Sequence, residues 1–171
     1  MNLILTGFMG TGKSTVGRLA AARLGLPFID MDAEIEHRAG MPITAIFATQ
    51  GEAAFRHMER ELARELAAHD NTVIATGGGA LIDPVNRELL EANGLIICLS
   101  AAPVVLAERL AASADRPLLQ HPDPARRIAE LLAARASAYA SLPHHIDTTD
   151  LSPEQITEAI ITLWHTHKQS T

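Results

Sequence analysis

The chain has 171 residues, of which 47% are apolar and 20% are charged, a composition typical of one globular domain and unlike that of disordered or collagen-like chains. Its formal net charge is −6, with 14 Lys plus Arg against 20 Asp plus Glu, which argues against a nucleic-acid-binding face. No apolar stretch approaches the ~18 residues of a membrane-spanning helix, and no cleavable leader pattern begins the chain. Cys98, the single cysteine, lies in an apolar run and cannot form an internal disulfide. We therefore expect one domain over residues 1–171, a cytoplasmic monomer without nucleic-acid or membrane partners.

Short apolar runs alternate with longer helical patterns along the chain, which is typical of βαβ units around a mostly parallel sheet. The runs do not alternate apolar with polar residues, and this favours strands that helices cover on both faces. Five strands are predicted, at residues 2–5, 28–30, 72–76, 95–100 and 145–147. The predicted fold is a three-layer α/β sandwich.

Helix signals separate these strands. The first helical pattern covers residues 12–24 and stops at Gly25, a residue that tolerates the left-handed conformation of a helix C-terminus. Pro103 and Pro153 stand where first helical turns would begin, and residues 152–155 form a capping-box pattern. We expect helices to begin at both prolines.

Two stretches exceed what a minimal βαβ fold needs. Residues 32–69 offer two or three helical segments, broken at Gly40 and Gly51, where one helix would suffice. We interpret about 32–62 as an inserted substrate-binding region. Residues 113–124 are rich in proline and polar groups between two helical segments, the composition of a long functional loop. We interpret this loop as a lid.

The sequence GFMGTGKS at residues 7–14 fits the G-x-x-x-x-G-K-[ST] pattern of a phosphate-binding P-loop, with a strand before it and a helix after it. Glycines let backbone N–H groups turn toward phosphate oxygens, and the helix N-terminus adds partial positive charge. Lys13 is expected to bridge the β and γ phosphates of ATP, and Ser14 to bind Mg²⁺. The further nucleotide-binding residues expected here are Gly10, Thr11, Gly12 and Thr15. A glycine-rich turn with an incidental lysine is the alternative, and the flanking strand and helix argue against it.

Two carboxylates, Asp30 and Asp32, stand at the end of the second predicted strand. The carboxyl ends of parallel strands are where open α/β sheets build their binding sites. We assign Asp30 to Mg²⁺ and Asp32 to a substrate hydroxyl. The alternative for Asp32 is that it caps the following helix, because Asp is a favoured N-cap residue.

Arginines and glycines supply the remaining candidates. Arg56 and Glu59 lie one helical turn apart, and taken alone they are most simply a surface ion pair. Three glycines at 77–79 follow the third predicted strand and would let backbone N–H groups approach an anion or hydroxyl closely. Arg116 in the predicted lid and Arg135 on the next helix can neutralise a transferring phosphoryl group or hold a carboxylate through two hydrogen bonds.

Together these motifs resemble the shikimate kinases over nearly the whole chain, with far more specificity than the P-loop alone. The segments that carry the resemblance are Gly-x-x-Gly-x-Gly-Lys-Ser-Thr at 7–15, the Asp-x-Asp at 30–32, Ile46-Phe47, Gly51-Glu52, Phe55-Arg56-x-x-Glu59, the triple glycine, Arg116-Pro117-Leu118-Leu119 and Arg135-x-x-x-Tyr139. The resemblance implies phosphoryl transfer from MgATP to the 3-hydroxyl of shikimate, a step toward chorismate and the aromatic amino acids. It also implies a P-loop NTPase fold with sheet order 2-3-1-4-5 and a moving lid.

The resemblance assigns roles on the shikimate side of the site. It implies that Asp32 contacts the shikimate hydroxyls and that Arg56 and Arg135 hold the shikimate carboxylate. Gly78 and Gly79 would add backbone contacts.

On the nucleotide side, the resemblance implies that Arg116 is the lid arginine on the phosphates. It places Arg109 and the Pro153 region beside adenine.

Two rival functions remain open at the level of sequence. A kinase for another small polyol acid, such as gluconate, would share the P-loop and the lid but not the two arginines, the Asp-x-Asp and the triple glycine. A nucleotide-binding regulatory module without catalysis is the rival from another class. Lys13, Ser14, Asp32 and Arg116 argue against that module because all four are present.

Overall fold

The computed structural model describes residues 1–111 and 123–169. These residues form five strands and seven α-helices. The strands are β1 (Asn2–Gly7), β2 (Phe28–Asp30), β3 (Val73–Ala75), β4 (Gly94–Ser100) and β5 (His144–Asp147). The helices are α1 (Lys13–Leu24), α2 (Met31–Ala39), α3 (Ile43–Ala67), α4 (Pro84–Glu91), α5 (Pro103–Ala111), α6 (Pro124–Ala140) and α7 (Pro153–Gln169), with a short 3₁₀ turn at Ala80–Ile82.

The five strands form one parallel sheet in the order β2-β3-β1-β4-β5. The predicted sheet and its order are confirmed; the predicted bounds match for β2 and differ by one or two residues at one or both ends of each other strand. β1 is longer than predicted because it stays paired with β4 as far as Gly7, opposite Leu99. β3 is shorter than predicted and ends at Ala75, so Thr76 already belongs to the loop.

Alternate residues of the central strand β1 lie on opposite faces of the sheet, as the strand geometry requires. Ile4 joins a core that includes Leu62 of α3, whereas Leu3 and Leu5 join a core that includes Trp164 of α7. All five side chains are almost fully buried. The sheet is therefore the middle layer of the predicted three-layer sandwich.

A third apolar cluster lies beside the P-loop. Phe8 of the loop packs with Leu106 and Leu110 of α5 and with Ile128 of α6, and it is 1% exposed. An apolar side chain thus anchors the phosphate-binding loop to two helices.

The predicted helix boundaries are confirmed in four places. Gly25 follows α1 with a left-handed φ of 67°. Pro103 and Pro153 are the first residues of α5 and α7. In the capping box, the Ser152 N–H donates to Gln155 Oε1 at 2.9 Å and the Gln155 N–H donates to Ser152 Oγ at 3.3 Å.

The predicted surplus of helix is α2 together with α3, inserted between β2 and β3. Gly40 ends α2 with a φ of 66°, and Gly51 interrupts α3 with a φ of 82° and a ψ of 169°. The lid predicted at 113–124 lies almost wholly outside the described residues. Within the described ranges, no helix is both long and apolar enough to cross a membrane.

Candidate active site

A cleft of about 1330 Å³ opens where β1, β2 and β3 end. It extends from the start of α2 across the P-loop to α5 and the beginning of α7. The predicted site residues that line it are Gly10, Thr11, Gly12, Lys13, Ser14, Thr15, Asp30, Asp32, Gly78, Arg109 and Pro153. The fold therefore brings the predicted nucleotide, metal and hydroxyl-binding residues to one place.

The P-loop wraps around the ammonium group of Lys13, which donates hydrogen bonds to the carbonyls of Gly7 at 2.9 Å and Phe8 at 3.0 Å. Gly7 leaves no room for a side chain, because a β-carbon there would lie 2.1 Å from the carbonyl oxygen of Leu99. The hydroxyl of Thr11 is buried and donates to the Phe8 carbonyl at 2.8 Å, so this side chain shapes the loop.

Asp30 connects the P-loop to α2. Its Oδ2 accepts a hydrogen bond of 2.5 Å from Ser14 Oγ, and its Oδ1 accepts from the backbone N–H groups of Asp32 at 3.1 Å and Ala33 at 3.4 Å. Asp30 is therefore the N-cap of α2, and the alternative in which Asp32 caps this helix is wrong. The reason is that α2 begins at Met31, directly after β2, which places Asp32 inside the first turn.

The oxygens of Ser14 and Asp30 fit the predicted magnesium ion. Mg²⁺ binds hard oxygen ligands, keeps several waters and takes few direct protein ligands. No group of three or more His, Cys, Asp or Glu in ranges 1–111 and 123–169 is arranged to hold a metal ion. A site of two protein oxygens, completed by water and phosphate, would suit magnesium.

The triple glycine brings oppositely charged groups close together. A β-carbon on Gly77 would lie 2.6 Å from Asp32 Oδ1 and 2.9 Å from Glu59 Oε1. A β-carbon on Gly79 would lie 3.0 Å from Arg56 Nη1. The charged side chains of α2 and α3 thus come close to the backbone of the triple glycine, and a side chain at Gly77 or Gly79 would displace them.

Arg135 reaches the same loop from α6. The carbonyl of Gly78 accepts hydrogen bonds from Arg135 Nη1 at 3.3 Å and from the Tyr139 hydroxyl at 2.5 Å. The Arg135 guanidinium also lies over the Phe8 ring, 5.4 Å from its centroid. Burial raises the pKa of the Tyr139 phenol and Arg135 opposes the shift, so the hydroxyl remains a proton donor at neutral pH. Because the Gly78 carbonyl already accepts these two hydrogen bonds, the backbone contact predicted for Gly78 would come from its N–H group.

Arg56 and Glu59 form an ion pair, with Arg56 Nη1 2.5 Å from Glu59 Oε2. Glu52 adds a second carboxylate, 3.1 Å from Arg56 Nη2. The side chain of Glu59 is 2% exposed and that of Arg56 is 32% exposed, so the simple surface-pair interpretation is wrong. Burial raises the pKa of Glu59, and Arg56 opposes that shift only in part.

The far end of the cleft is built by α5 and the loop after β5. Arg109 donates to Thr148 Oγ1 at 3.0 Å and to the Thr148 carbonyl at 2.6 Å, and both Arg109 and Pro153 line the cleft. The position of Arg116 lies outside the described residues.

Sequence reasoning gave no role to two residues that hold the site together. Tyr139 had a usable signal, since it lies four residues after Arg135 and therefore on the same helix face. Thr148 had none, because its contact with Arg109 joins residues 39 positions apart.

Comparisons with known proteins point to one family. The profile of the family described as shikimate kinase matches residues 9–164. The chain is 46% identical over 167 residues to the shikimate kinase of Geobacter sulfurreducens, covering 98% of this chain and 92% of that protein. It is 44% identical over 160 residues to the shikimate kinase of Thermodesulfovibrio yellowstonii, with coverages of 94% and 92%.

Among solved structures, the shikimate kinase from Acinetobacter baumannii in complex with shikimate matches with a TM-score of 0.90 at 36% identity, covering 98% of this chain and 94% of that one. A gluconokinase from Sinorhizobium meliloti matches with a TM-score of 0.60 at 19% identity, over 99% of this chain and 97% of that one, and so shares the fold alone. Family profile, full-length relatives and fold agree, and the chain belongs to the shikimate kinase family.

Proposed function

We propose that this protein transfers the γ-phosphoryl group of MgATP to the 3-hydroxyl of shikimate, giving shikimate 3-phosphate and ADP, in chorismate and aromatic amino acid biosynthesis. The observation that carries the proposal is the meeting of Asp32, Arg56 and Arg135 at the triple glycine beside the P-loop. The carboxylate of Asp32 and the two guanidinium groups complement a small acid that has several hydroxyls and one carboxylate.

Phosphoryl transfer depends mainly on positioning and on neutralising charge. Lys13 would place its ammonium on the β and γ phosphates, where the P-loop N–H groups also bind. Ser14 and Asp30 would hold Mg²⁺, which when bound neutralises phosphate charge. Arg116, outside the described residues, is proposed as a further phosphate ligand.

On the acceptor side, Asp32 would orient the 3-hydroxyl and accept its proton. Arg56 and Arg135 would bind the shikimate carboxylate with paired hydrogen bonds, a geometry that the point charge of lysine does not reproduce. Residues of about 32–62, which include α2, would form the substrate-binding region.

The remaining nucleotide contacts belong to the far end of the cleft. Arg109 and Pro153 are proposed to border adenine, because both line the cleft beyond the P-loop.

A cytoplasmic location and a monomeric state complete the proposal. The chain has a single cysteine, Cys98, which is buried and free, and a chain without disulfides suits a reducing compartment. Sedimentation of the purified protein checks the monomeric state.

A coupled assay of ADP release tests the activity, with ATP, Mg²⁺ and either shikimate or gluconate as the acceptor. We expect ADP release to require shikimate. Equal rates with gluconate, or release without an acceptor, would contradict the proposal.

The chain offers a matched pair of variants for this assay, since Lys13 and Lys168 are its two lysines. Lys13→Ala should lower kcat by more than about tenfold, because it removes the positive charge that neutralises the transferring phosphoryl group. Lys168→Ala should leave kcat unchanged, because Lys168 lies over the ring of Trp164 near the end of α7. An equal effect of both variants would contradict the role of Lys13.

A further inference from the structure

The amide side chain of Asn86, on helix α4, is buried and only partly hydrogen-bonded. The residue is 1% exposed, and its Nδ2 donates to the Ala80 carbonyl at 3.0 Å. Its Oδ1 has no hydrogen-bond partner among the described residues. The orientation of the amide follows from its chemistry, because only the nitrogen can donate to a carbonyl. Burying an unpaired acceptor costs free energy, so stability alone does not explain an asparagine at this position.

Ala80 connects Asn86 to the triple glycine. Its carbonyl accepts from Asn86, and its N–H donates to the Gly77 carbonyl at 3.1 Å. A carbonyl and the N–H of the following residue share one planar peptide, so the direction of the Gly77 carbonyl also sets the direction of the Gly78 N–H. Asn86 therefore acts, through two successive hydrogen bonds, on the N–H group that is predicted to contact the substrate.

Helix α4 is also attached to the helix that carries Arg56. Asp83, the N-cap of α4, accepts from the Val85 N–H at 3.0 Å and from Arg60 Nε at 2.6 Å. Arg60 lies on α3, four residues after Arg56. Asp83 thus ties α4 to α3, and Asn86 ties α4 to the glycine loop. No residue of α4 lines the cleft, so the helix acts from outside the site.

We propose that Asn86 is a positioning residue for the acid-binding end of the cleft: by holding Ala80, it keeps the Gly78 N–H directed toward the ligand that Arg56 and Arg135 bind. The inference rests on the proposed function for the identity of that ligand as shikimate. Glycine has wide conformational freedom, so a loop of three glycines depends on neighbouring groups for a fixed shape. Hydrogen bonds weaken steeply when their direction changes, so an unfixed loop binds less tightly.

Asn86→Asp tests this role, because it keeps the shape of the side chain and replaces the donor nitrogen by an acceptor oxygen that faces the Ala80 carbonyl. Asn2→Asp is the matched control. Asn2 is also 1% exposed, and its Nδ2 donates to the carbonyls of Leu66 at 3.3 Å and His69 at 2.8 Å, at the opposite end of the sheet. Asn86→Leu is a second variant, which removes the donor without adding a charge to the core.

Titration calorimetry measures the affinities for shikimate and for MgADP. Both Asn86 variants should weaken shikimate binding about fivefold, the effect of one typical hydrogen bond, and leave MgADP affinity unchanged. Asn2→Asp should change neither affinity. Amide hydrogen exchange followed by NMR gives a readout without ligand. Exchange of the Ala80 amide, relative to the amides of β1, should be faster in both Asn86 variants and unchanged in Asn2→Asp.

Three results would overturn the inference: unchanged shikimate affinity in both Asn86 variants, equal losses of shikimate and MgADP affinity, or an equal loss of shikimate affinity in Asn2→Asp. Failure of the proposed function gives a different result, since the natural protein would then bind MgADP but not shikimate. In that case the exchange of the Ala80 amide decides whether Asn86 holds the loop, and unchanged exchange would defeat that role as well.

Discussion

Glu59 holds its carboxylate out of water, and Arg56 compensates for that burial only in part. Burial raises the pKa of Glu59, and the charges of Asp32 and Asp83 add to the shift while Arg56 opposes it. A carboxyl group with a higher pKa in the folded than in the unfolded protein stabilises the fold fully below its unfolded pKa. That contribution is lost as the pH rises through the folded pKa.

The substitution Glu59→Gln should therefore change how stability depends on pH. We expect the free energy of unfolding of the natural protein, minus that of the variant, to fall as the pH rises above the ordinary glutamate pKa of about 4.3. Urea unfolding at several pH values measures this difference. Acids with lowered pKa values, such as Asp70 and Asp147, are present in both proteins and cancel. A difference that instead grew in favour of the natural protein would mean that Arg56 outweighs the burial of Glu59.

Tyr139 positions the backbone of the triple glycine rather than contacting a reacting atom. Tyr139→Phe removes one of the two donors to the Gly78 carbonyl and keeps the ring packed. A typical hydrogen bond contributes about 1 kcal/mol, so the KM for shikimate should rise about fivefold while the KM for ATP stays the same.

Steady-state kinetics with each substrate varied in turn checks this prediction. Ser141→Ala is the control, because its hydroxyl follows the same helix but contacts Arg87 and the Ala138 carbonyl. An equal rise in both KM values for Tyr139→Phe would point to general damage of the fold.

Helix α3 owes its shape to a break in the middle. Gly51 adopts a φ of 82° and a ψ of 169°, a backbone conformation essentially reserved for glycine. The rings of Phe47 and Phe55 meet across the break, with 5.0 Å between their centroids. The break thus sets the direction of the second half of α3, which carries Arg56 and Glu59 to the triple glycine.

Gly51→Ala should lower the free energy of unfolding by about 1 to 3 kcal/mol. A β-carbon at Gly51 would meet no atom within 4 Å, so the cost is backbone strain alone. Shikimate affinity should fall more than ADP affinity, because the strain acts on the helix that carries Arg56.

Gly40→Ala is the matched control for this helix. It also has a positive φ, 66°, and open space around it, and it should cost about 1 to 2 kcal/mol. It ends α2 at the end opposite Asp32, so shikimate affinity should fall less than in Gly51→Ala. If both variants weakened shikimate binding equally, the direction of α3 would not be what Gly51 controls.

At the scale of the whole molecule, apolar and helical patterns in the sequence predicted the strands and helices, and the family resemblance predicted the order of the strands in the sheet. Unbroken apolar runs marked the five strands because a strand covered on both faces needs apolar residues on both. Nothing in those runs orders the strands, since the order depends on pairings such as β1 with β4, whose partners lie about 90 residues apart. The order came from the family pattern and is confirmed.

The site divides in the same way. The P-loop was predictable because its residues are contiguous and act through local backbone geometry. The burial of Glu59 was not predictable, because a spacing of three residues shows that two side chains share a helix face but not whether that face is buried. The alternative in which Asp32 caps α2 named the wrong aspartate for a related reason, since a change of one or two residues in where a strand ends decides which carboxylate meets the helix N-terminus.

The carboxylate of Asp30 has two tasks, one for each oxygen: it begins α2, which carries Asp32, and it meets Ser14 at the start of α1. We expect binding of the nucleotide and of shikimate to be coupled through this side chain, and any such coupling is reciprocal. The factor by which MgADP changes shikimate affinity should equal the factor by which shikimate changes MgADP affinity. Asp30→Asn should reduce that factor toward one, because asparagine caps a helix as well as aspartate but lacks the charge. Calorimetry of the binary and ternary complexes measures this coupling factor. An unchanged factor in the variant would show that residues other than Asp30 carry the coupling. Through one side chain, binding of each substrate would change the affinity for the other.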